Sequence, residues 1–468
     1  MIRRLNLIFI LCLLAMPLSL LASDAEQERV LPRYQTDAEK EATNETATPG
    51  PGVYIWECFP DLAGFTEPPP KSARFPTESE QISGVMYGWP SYGGQMSPLT
   101  ELIRNSVQQA DSGYVTNVIV PSSIRASAES TLRNRGFDDQ MLSAINWFIA
   151  PIDGIWIRDY GAEALTDSSG TVRFVDMGYY SGQSTVCPAT PESAPRLPGR
   201  PSDDVSPTRF APYLLDGVDV FRPALRTEGG NLQTDGQGTC VHMQREVLAQ
   251  NRFSRWSYTQ EQLDDVYRNY FNCPTVISLE SFQPDPETAI GQRRVIDHVD
   301  MFMTFISPQT AIVARLDPED AEFDPTNAAI LERNAQTLAD AGYNVVRIPQ
   351  PSRYCTLRRG TTCVANPRDT LVCEAGAPLR DRVWATYANS MRIGNRMLVP
   401  IYRDPVSESS PLPKDLKDRI MRQEAEALAT FQSALDAEFG EGVVAVVPVV
   451  SDDMIPCQGS MHCIAMTY

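Results

Sequence analysis

Three histidines and ten cysteines are the residues on which proton transfer or nucleophilic attack by this chain would depend. His298 and Asp300 stand two positions apart in a run rich in Val, Met and Phe (296–305) that is typical of a strand. Strand side chains alternate between faces, so both would project to the same side. A base and a carboxylate on one strand suit the binding of a cationic group and proton transfer to it. The alternative is a surface strand with incidental polar residues.

Cys463, which follows His462 in the segment 456–468, is the candidate nucleophile. A thiolate attacks well once a cationic neighbour lowers its pKa. Neighbours in an extended segment face opposite ways, so His462 would be poorly placed to deprotonate Cys463. We therefore predict that His298 is the base and that His462 matters through packing alone. The alternative is that Cys463 closes a disulfide, with Cys457 as one partner.

Two glycine-marked segments carry further acidic residues. Residues 153–161 combine charged and aromatic side chains and include Asp159, whereas residues 226–236 contain a Gly–Gly pair with Glu228 and Asp235. Paired glycines favour a tight loop in which another part of the chain can approach closely. No basic residue follows as in a P-loop, so phosphate binding is not expected. Taken singly, each segment reads as a loop.

The elements that must position these residues read as an α/β fold. Short β-rich runs stop at a proline in five places (117–121, 147–151, 345–349, 396–400 and 444–448), which hints at a repeated strand unit. Apolar spacing predicts helices over 326–341 and 414–439, and each precedes a β run, at 343–349 and 442–449. The sequence after residue 84 contains no segment typical of a linker, so we expect one large catalytic domain over 84–468.

The N-terminal region predicts export. Residues 1–23 have the basic start, short apolar run and small residues of a signal peptide, and the apolar run is too short to span a bilayer. We expect a secreted or periplasmic protein without stable membrane insertion after cleavage. Residues 24–83 are acidic and Pro-rich, which indicates a loosely ordered lead.

The cysteine count favours disulfides plus one free thiol. Removing Cys12 with the signal peptide leaves an odd number, at positions 58, 187, 240, 273, 355, 363, 373, 457 and 463. An odd number in an exported protein calls for one unpaired thiol or an intermolecular bond. No CxxC pair occurs and histidines are few, so the pattern fits no zinc site. The spacing leaves the pairing open.

Net charge bears on the partners of the protein. Lys and Arg number 40 against 59 Asp and Glu, a formal net charge of −19. This balance argues against nucleic acid as a partner, because binding phosphate needs a basic face. An acidic field attracts cationic ligands, although acidity can also serve solubility alone.

Taken in order, several segments resemble the agmatine deiminase and bacterial-type peptidylarginine deiminase family. The matching segments are MYGWP (86–90), WIRDYG (156–161), EGGNLQTDGQGT (228–239), DHVDMF (297–302), TYANSMRIGNRMLVP (386–400) and SMHCIA (460–465). The resemblance covers nearly all of the chain after the N-terminal lead, and the order of the motifs is more specific than any one of them.

The resemblance implies the pentein fold, a five-fold pseudosymmetric α/β propeller forming a single catalytic domain, and hydrolysis of a guanidinium to a ureido group and ammonia without a metal or an organic cofactor. By the same resemblance, Cys463 is the nucleophile that forms an amidino-thioether, and His298 protonates the departing ammonia and then activates water. Glu228 orients His298, and Asp159 and Asp300 hold the guanidinium. Three further positions are candidate substrate contacts: Trp156, Asn389 and Arg200.

The substrate stays open at this point. Export favours arginine side chains of peptides, giving citrulline, with agmatine or another small guanidine as the alternative. More remote are an amidinotransferase and a non-catalytic, disulfide-bonded binding protein, while a papain-like or caspase-like protease lacks its sequence context. Two departures from the family bear on specificity. The run 457–461 replaces a Gly-rich run before the terminal His-Cys pair, and Arg200-Pro-Ser-Asp-Asp204 follows an insertion that contains Cys187.

Overall fold

The computed structural model describes residues 29–30, 66–80, 82–179, 203, 206–223, 225, 227–243, 259–282, 298–322, 324–352, 385–410, 412–454 and 459–468. Both long helices predicted from the sequence are present. One spans Pro325–Asp340, begins where the Asp324 carboxylate accepts a hydrogen bond from the Asn327 amide, and is followed by Gly342 at φ +98°. The other spans Lys414–Phe439 and ends at Gly440, also at φ +98°. Glycine adopts positive φ without steric cost, so both helices end where the sequence supplies it. The shorter α-helices are Ser97–Val107, Arg125–Asn134, Asp139–Ser143, Ile157–Tyr160, Ser206–Phe210, Gln260–Tyr270 and Pro318–Ala321.

The strands of the described residues form five sheets. They are β1 (Arg29–Val30), β2 (Gly84–Gly88), β3 (Val115–Val120), β4 (Ile145–Ile149), β5 (Glu163–Thr166), β6 (Val172–Val175), β7 (Asp219–Phe221), β8 (Leu232–Thr234), β9 (Thr239–Met243), β10 (Thr275–Leu279), β11 (Met303–Phe305), β12 (Thr310–Arg315), β13 (Asn344–Pro349), β14 (Met391–Ile393), β15 (Arg396–Ile401), β16 (Ala445–Val450) and β17 (Met466–Thr467).

The five sheets repeat one pattern of pairing. An antiparallel pair is followed by a parallel neighbour in β5-β6-β7, β8-β9-β10, β11-β12-β13 and β14-β15-β16. The remaining sheet has the same order in β17-β2-β3 and adds β4 and β1 in parallel. A helix lies between the two parallel strands in every case, as a parallel crossover requires. The α/β class expected from the sequence is confirmed, and the strand unit is repeated.

The prolines do not all end their strands. β3 stops directly before Pro121, and β13 ends on Pro349, but β15 and β16 run past Pro400 and Pro448. Pro448 lies on an edge strand, and Pro400 lies beyond Leu398, the last residue of β15 that pairs with β14. Among the described residues, Pro400 and Pro448 therefore each have one side of the strand without a partner strand, where no backbone donor is required.

The first sheet is buried on both faces, as parallel strands between helices are. On β2, Val85 and Tyr87 pack into one apolar cluster with the helix Ser97–Val107, and Met86 packs into another with Phe148 of β4. This sheet also receives β17, so the strand next to Cys463 is anchored on a rigid support.

Packed structure begins before the boundary at residue 84 that composition indicates. Arg74 and Thr166 exchange backbone hydrogen bonds of 2.7 and 2.8 Å, and Phe75 and Thr77 are buried. Part of the acidic, Pro-rich lead therefore belongs to the folded unit. Across the described residues, no helix combines the length and the apolarity needed to cross a membrane.

Candidate active site

A tight turn or bend stands immediately before the first strand of each antiparallel pair, and each one carries a candidate site residue. Asp159 lies in the single helical turn Ile157–Tyr160 before β5, and Glu228 precedes the 3₁₀ turn Gly229–Asn231 before β8. The 3₁₀ turn Val299–Met301 precedes β11, a bend over 387–389 precedes β14, and the 3₁₀ turn His462–Ile464 precedes β17. The five sheets thus each supply one turn to the candidate site.

His298 is held between two carboxylates. Its Nε2 lies 2.6 Å from Glu228 Oε2, and its Nδ1 lies 3.6 Å from Asp159 Oδ1. Burial alone would lower the pKa of His298, but Asp159, Glu228 and Asp300 outweigh it and raise that pKa to about 10. The imidazole is therefore protonated at neutral pH, and its short contact with Glu228 restricts its orientation.

Cys463 carries a buried, unpaired thiol. Only 2% of the residue is exposed, and its Sγ lies 3.6 Å from Asp300 Oδ2 and 3.4 Å from Asn389 Nδ2. Burial, together with the charges of Asp300 and Asp159, holds the pKa of the Cys463 thiol well above its usual range. The thiol is therefore neutral as long as no cation enters the site.

Asn389 holds the Cys463 turn in place. Its Oδ1 accepts a 2.8 Å hydrogen bond from the His462 amide, and its Nδ2 donates to the Asp300 carbonyl at 3.3 Å. The side chain thus links the turn that carries the thiol to the turn that carries Asp300. It is fully buried, so the structure gives Asn389 a supporting position beside the thiol rather than an open face for the substrate.

The strand predicted over 296–305 is wrong. Within the described part of that run, only Met303–Phe305 is a strand, and a 3₁₀ turn occupies Val299–Met301. Alternation of faces therefore does not bring His298 and Asp300 together. They converge because the turn bends around Gly230, where an added Cβ would lie 2.7 Å from His298 Nδ1 and 3.2 Å from Asp300 Oδ2. The glycine pair of the EGGN motif leaves room for this convergence.

The extended geometry predicted for His462 and Cys463 is also wrong. The 3₁₀ turn His462–Ile464 places the His462 ring 2.8 Å from Asp300 Oδ2 through Nδ1. Its Nε2 lies 2.9 Å from Glu78 Oε2. His462 therefore contacts a residue of the site, and a role limited to packing does not describe it. Among the described residues, the hydrogen bonds of its ring go to these two carboxylates and not to the Cys463 sulfur.

Glu78 is the site residue that the sequence did not reveal. It accepts a 2.7 Å hydrogen bond from Thr467 Oγ1 and pairs with the buried guanidinium of Arg158. Burial would raise the pKa of Glu78, but Arg158 and His462 hold it below its usual range. The residue lies in a Pro-rich, charged segment with no motif, and 384 positions separate it from His462. No local signal in the sequence marks it.

The other two candidate substrate contacts are Trp156 and Arg200. Trp156 packs against Gly459, where an added Cβ would lie 2.2 Å from Trp156 Cζ3, so its ring borders the segment that leads to Cys463. Arg200 lies outside the described residues, as does the insertion around Cys187.

Three of the site residues could also hold a metal ion. Asp159, Glu228 and His298 each offer one ligand atom, and these atoms lie within 4.8 Å of one another. The 2.6 Å contact between His298 and Glu228 would have to give way to metal bonds. The same groups suit a planar cation with several N–H donors, which needs several oxygen acceptors.

Among the described residues, the prediction of disulfides together with one free thiol is confirmed. Cys240 of β9 and Cys273 form a disulfide, and Cys463 is free. The alternative in which Cys463 closes a disulfide with Cys457 is therefore not what the structure has. The other cysteines (58, 187, 355, 363, 373 and 457) lie outside the described residues.

Comparison with known proteins places the chain in a family. The family model described as Porphyromonas-type peptidyl-arginine deiminase matches residues 74–468. The chain belongs to this family, whose enzymes are deiminases acting on guanidino groups.

Relatives and solved structures agree with this assignment. A protein of Selenomonas ruminantium named "Putative agmatine deiminase" is 24% identical over 353 residues, which are 72% of this chain and 86% of that protein. The agmatine deiminase of Enterococcus faecalis matches with a TM-score of 0.60 and 18% identity over 86% of this chain and 98% of that one. A "Putative Arginine Deiminase" from Porphyromonas gingivalis matches with a TM-score of 0.58 and 19% identity over 85% and 98%. At these identities the solved structures show a shared fold.

Proposed function

We propose that this protein hydrolyses a guanidinium group to a ureido group and ammonia, with Cys463 as the nucleophile. The observation that carries the proposal is a buried, unpaired thiol 3.6 Å from a buried carboxylate, beside an imidazole held by two further acidic side chains. Such a site attracts a planar cation and brings a sulfur atom and a proton donor to it.

Asp300 and Asp159 bind the cation. Asp300 Oδ1 is buried and accepts no hydrogen bond from the described residues, so a guanidinium N–H supplies the partner that this oxygen lacks. Asp159, whose Oδ1 lies 3.6 Å from His298 Nδ1, adds a second negative charge. The geometry supports a bound guanidinium that lies over the Cys463 sulfur.

The bound cation changes the ionisation of the thiol. A positive charge next to Cys463 opposes the effect of Asp300 and Asp159, so the pKa of the thiol falls when the substrate enters. The thiol releases its proton to solvent, the thiolate attacks the guanidinium carbon, and His298 gives its proton to the departing nitrogen, which leaves as ammonia. The product of this half-reaction is an amidino-thioether on Cys463.

Water completes the reaction. Neutral His298 takes a proton from a water molecule, whose oxygen bonds to the amidino carbon as the carbon–sulfur bond breaks. The imidazole keeps the first proton of that water and the leaving sulfur takes the second, so both groups regain their starting protons as the ureido product leaves. The proton that the thiol released at the start converts ammonia to ammonium. One substrate cation and one water give one urea derivative and one ammonium ion.

The leading substrate is agmatine, a small guanidine. Relatives named for agmatine favour it over the peptidyl-arginine reading that export suggests. Peptidyl arginine is the second candidate, favoured by the description of the family model. The test measures ureido product from agmatine, free arginine and arginyl peptides, with Cys463→Ala as the control. Product from peptides but not from agmatine would reverse the order, and no product from any guanidine would contradict the proposal.

Two further parts of the proposal concern export and architecture. The leader at residues 1–23 supports an exported protein, which a mature N-terminus after residue 23 would demonstrate. The repeated pairing in five sheets supports the five-fold pseudosymmetric propeller that the family implies.

A further inference from the structure

The His462 ring forms hydrogen bonds with two carboxylates, those of Asp300 and Glu78. Its Nδ1 donates to Asp300 Oδ2 at 2.8 Å, and its Nε2 donates to Glu78 Oε2 at 2.9 Å. Both the ring and Asp300 have side chains only 2% exposed. Burial would lower the pKa of His462, but Glu78 and Asp300 raise it to about 9, so the ring carries a proton on both nitrogens at neutral pH.

Glu78 is itself held from two sides. Thr467 Oγ1 on β17 donates to its Oε1 at 2.7 Å, and Arg158 pairs with the same oxygen. The Arg158 guanidinium lies 3.6 Å from Glu163 on its far side, and only 5% of the Arg158 side chain is exposed. Glu78 therefore has little freedom to move, and it fixes the direction of the His462 ring.

We infer that Glu78 and His462 are positioning residues, which together orient the Asp300 carboxylate toward the guanidinium beside Cys463. The inference rests on the proposed function and extends it to two residues that act on the substrate through Asp300. With Oδ2 held by His462, the carboxylate cannot rotate freely, and its Oδ1 keeps one direction for the incoming N–H. A carboxylate that is held by a neighbouring side chain keeps one orientation, so it loses less conformational entropy when the substrate binds.

The charged groups around His462 set the direction of its pH response. Asp300 faces Nδ1, Glu78 faces Nε2, and Arg158 and Glu163 lie behind Glu78, while the Cys463 thiol follows in the chain. Arg158 lowers the pKa of His462, and the two carboxylates in contact with the ring raise it. Removing the charge of Glu78 therefore lowers that pKa, and the ring loses its second proton at a lower pH.

Two substitutions of His462 separate its two contacts. In His462→Asn, the side-chain NH₂ takes the place of Nδ1 and still donates to Asp300, whereas in His462→Gln it takes the place of Nε2 and reaches only Glu78. We expect His462→Asn to keep most of kcat/KM for agmatine and His462→Gln to lose roughly 10–100-fold, the usual scale for an outer partner of a binding group. Equal losses in the two variants, in proteins with unchanged thermal midpoints, would overturn the inference.

Glu78→Gln provides a second, independent measurement. We expect the alkaline fall of kcat/KM to move to lower pH in this variant, because the imidazolium loses one of its two anions. The matched control is Glu438→Gln, which changes another glutamate that accepts from a threonine hydroxyl, Thr310, outside the site. An unshifted alkaline fall in Glu78→Gln would contradict the inference even if turnover drops.

The activity of the wild-type chain distinguishes a failure of this inference from a failure of the proposed function. If the wild-type chain makes ureido product and Cys463→Ala makes none, the function stands and the variants of His462 and Glu78 decide the inference. If the wild-type chain makes no product from any guanidine, the proposed function fails and the inference falls with it.

Discussion

The ionisation of Cys463 and His298 defines the resting state of the site. Burial and two carboxylates keep the Cys463 thiol protonated, and carboxylates also keep the His298 imidazole protonated. In this state the thiol is not a thiolate, and the imidazole cannot accept a proton. In the proposed reaction, a cation bound beside the sulfur opposes the charges of Asp300 and Asp159, so the ionisation of the thiol changes when the substrate binds. The substrate charge thus acts as the trigger, which favours guanidinium over neutral ureas.

The first prediction separates nucleophile from acid. Cys463→Ala should abolish ureido formation, because it removes the sulfur, whereas His298→Ala should lower kcat by roughly 10²–10⁴-fold, the usual scale for a general acid–base group. Glu228→Gln should fall between wild type and His298→Ala, since the hydrogen bond to Nε2 persists without the charge. Steady-state assays of ureido product give these values. Near-normal turnover by His298→Ala would remove the histidine from its assigned role.

At this scale the sequence brought out the proposed catalytic residues more readily than the residues that hold them in place. Asp159, Glu228, His298, Asp300 and Cys463 all stand in short motifs and lie together in the structure. Glu78 has no motif, and its contact with His462 depends on packing between distant segments. Such a partner becomes visible only when the tertiary structure is known.

The turns are the elements that build the site. Four of the five are helical segments of three or four residues, too short for any hydrophobic period to develop. The long helices, with several turns of apolar spacing and a glycine after their ends, were predicted almost to the residue. The run 296–305 was assigned to a strand because its composition is that of β11, which follows the turn. Local composition cannot distinguish the turn from the strand.

The second prediction concerns the turn of the EGGN motif. In Gly230→Ala, the new Cβ would lie 2.7 Å from His298 Nδ1 and 2.8 Å from Asp159 Oδ1, so one of them must move. We expect a loss of turnover on the order of 10²-fold, since small displacements of catalytic groups carry costs of this size. The measurement is kcat/KM for agmatine together with circular dichroism.

Gly94→Ala is the control for this substitution. Gly94 also lies in a 3₁₀ turn, away from the site, and its added Cβ would contact only the Thr131 side chain, at 3.3 Å. Turnover of Gly94→Ala should stay near that of the wild type. If Gly230→Ala were equally active, close packing under His298 would not be required for the reaction.

For the whole molecule, the site depends on every sheet being in place. Each sheet contributes one turn, and the turns come from segments spread over residues 156–464. The repeated pairing of the sheets was only hinted at by the sequence, because the proline-terminated runs are irregularly spaced. The pairing of strands within each sheet and the direction of each strand depend on contacts between segments that are separated in the chain. A pattern of apolar residues does not encode such contacts.

The third prediction tests the disulfide of the β8-β9-β10 sheet. Cys240 and Cys273 close a loop with a sequence separation of 33, and chain entropy predicts a stabilisation of about 2–4 kcal/mol. The double substitution Cys240→Ala/Cys273→Ala should lower the free energy of unfolding in urea by that amount. Turnover should persist, because Cys240 pairs with Thr234 at the end of β8 farther from Glu228. An unchanged urea midpoint would show that the bond does not constrain the unfolded chain.

The pairing of β17 with β2 joins Met466 to Met86, residues far apart in the chain. We expect a contact of such long range to form late in folding, because closing a long loop costs entropy before the contact is made. Until β17 docks, Cys463 is an accessible thiol in a chain that also forms the Cys240–Cys273 bond, and thiolate attack on that bond competes with correct oxidation. Docking of β17 buries Cys463, which ends this competition. The step that completes the site is therefore also the step that withdraws the nucleophile from disulfide exchange.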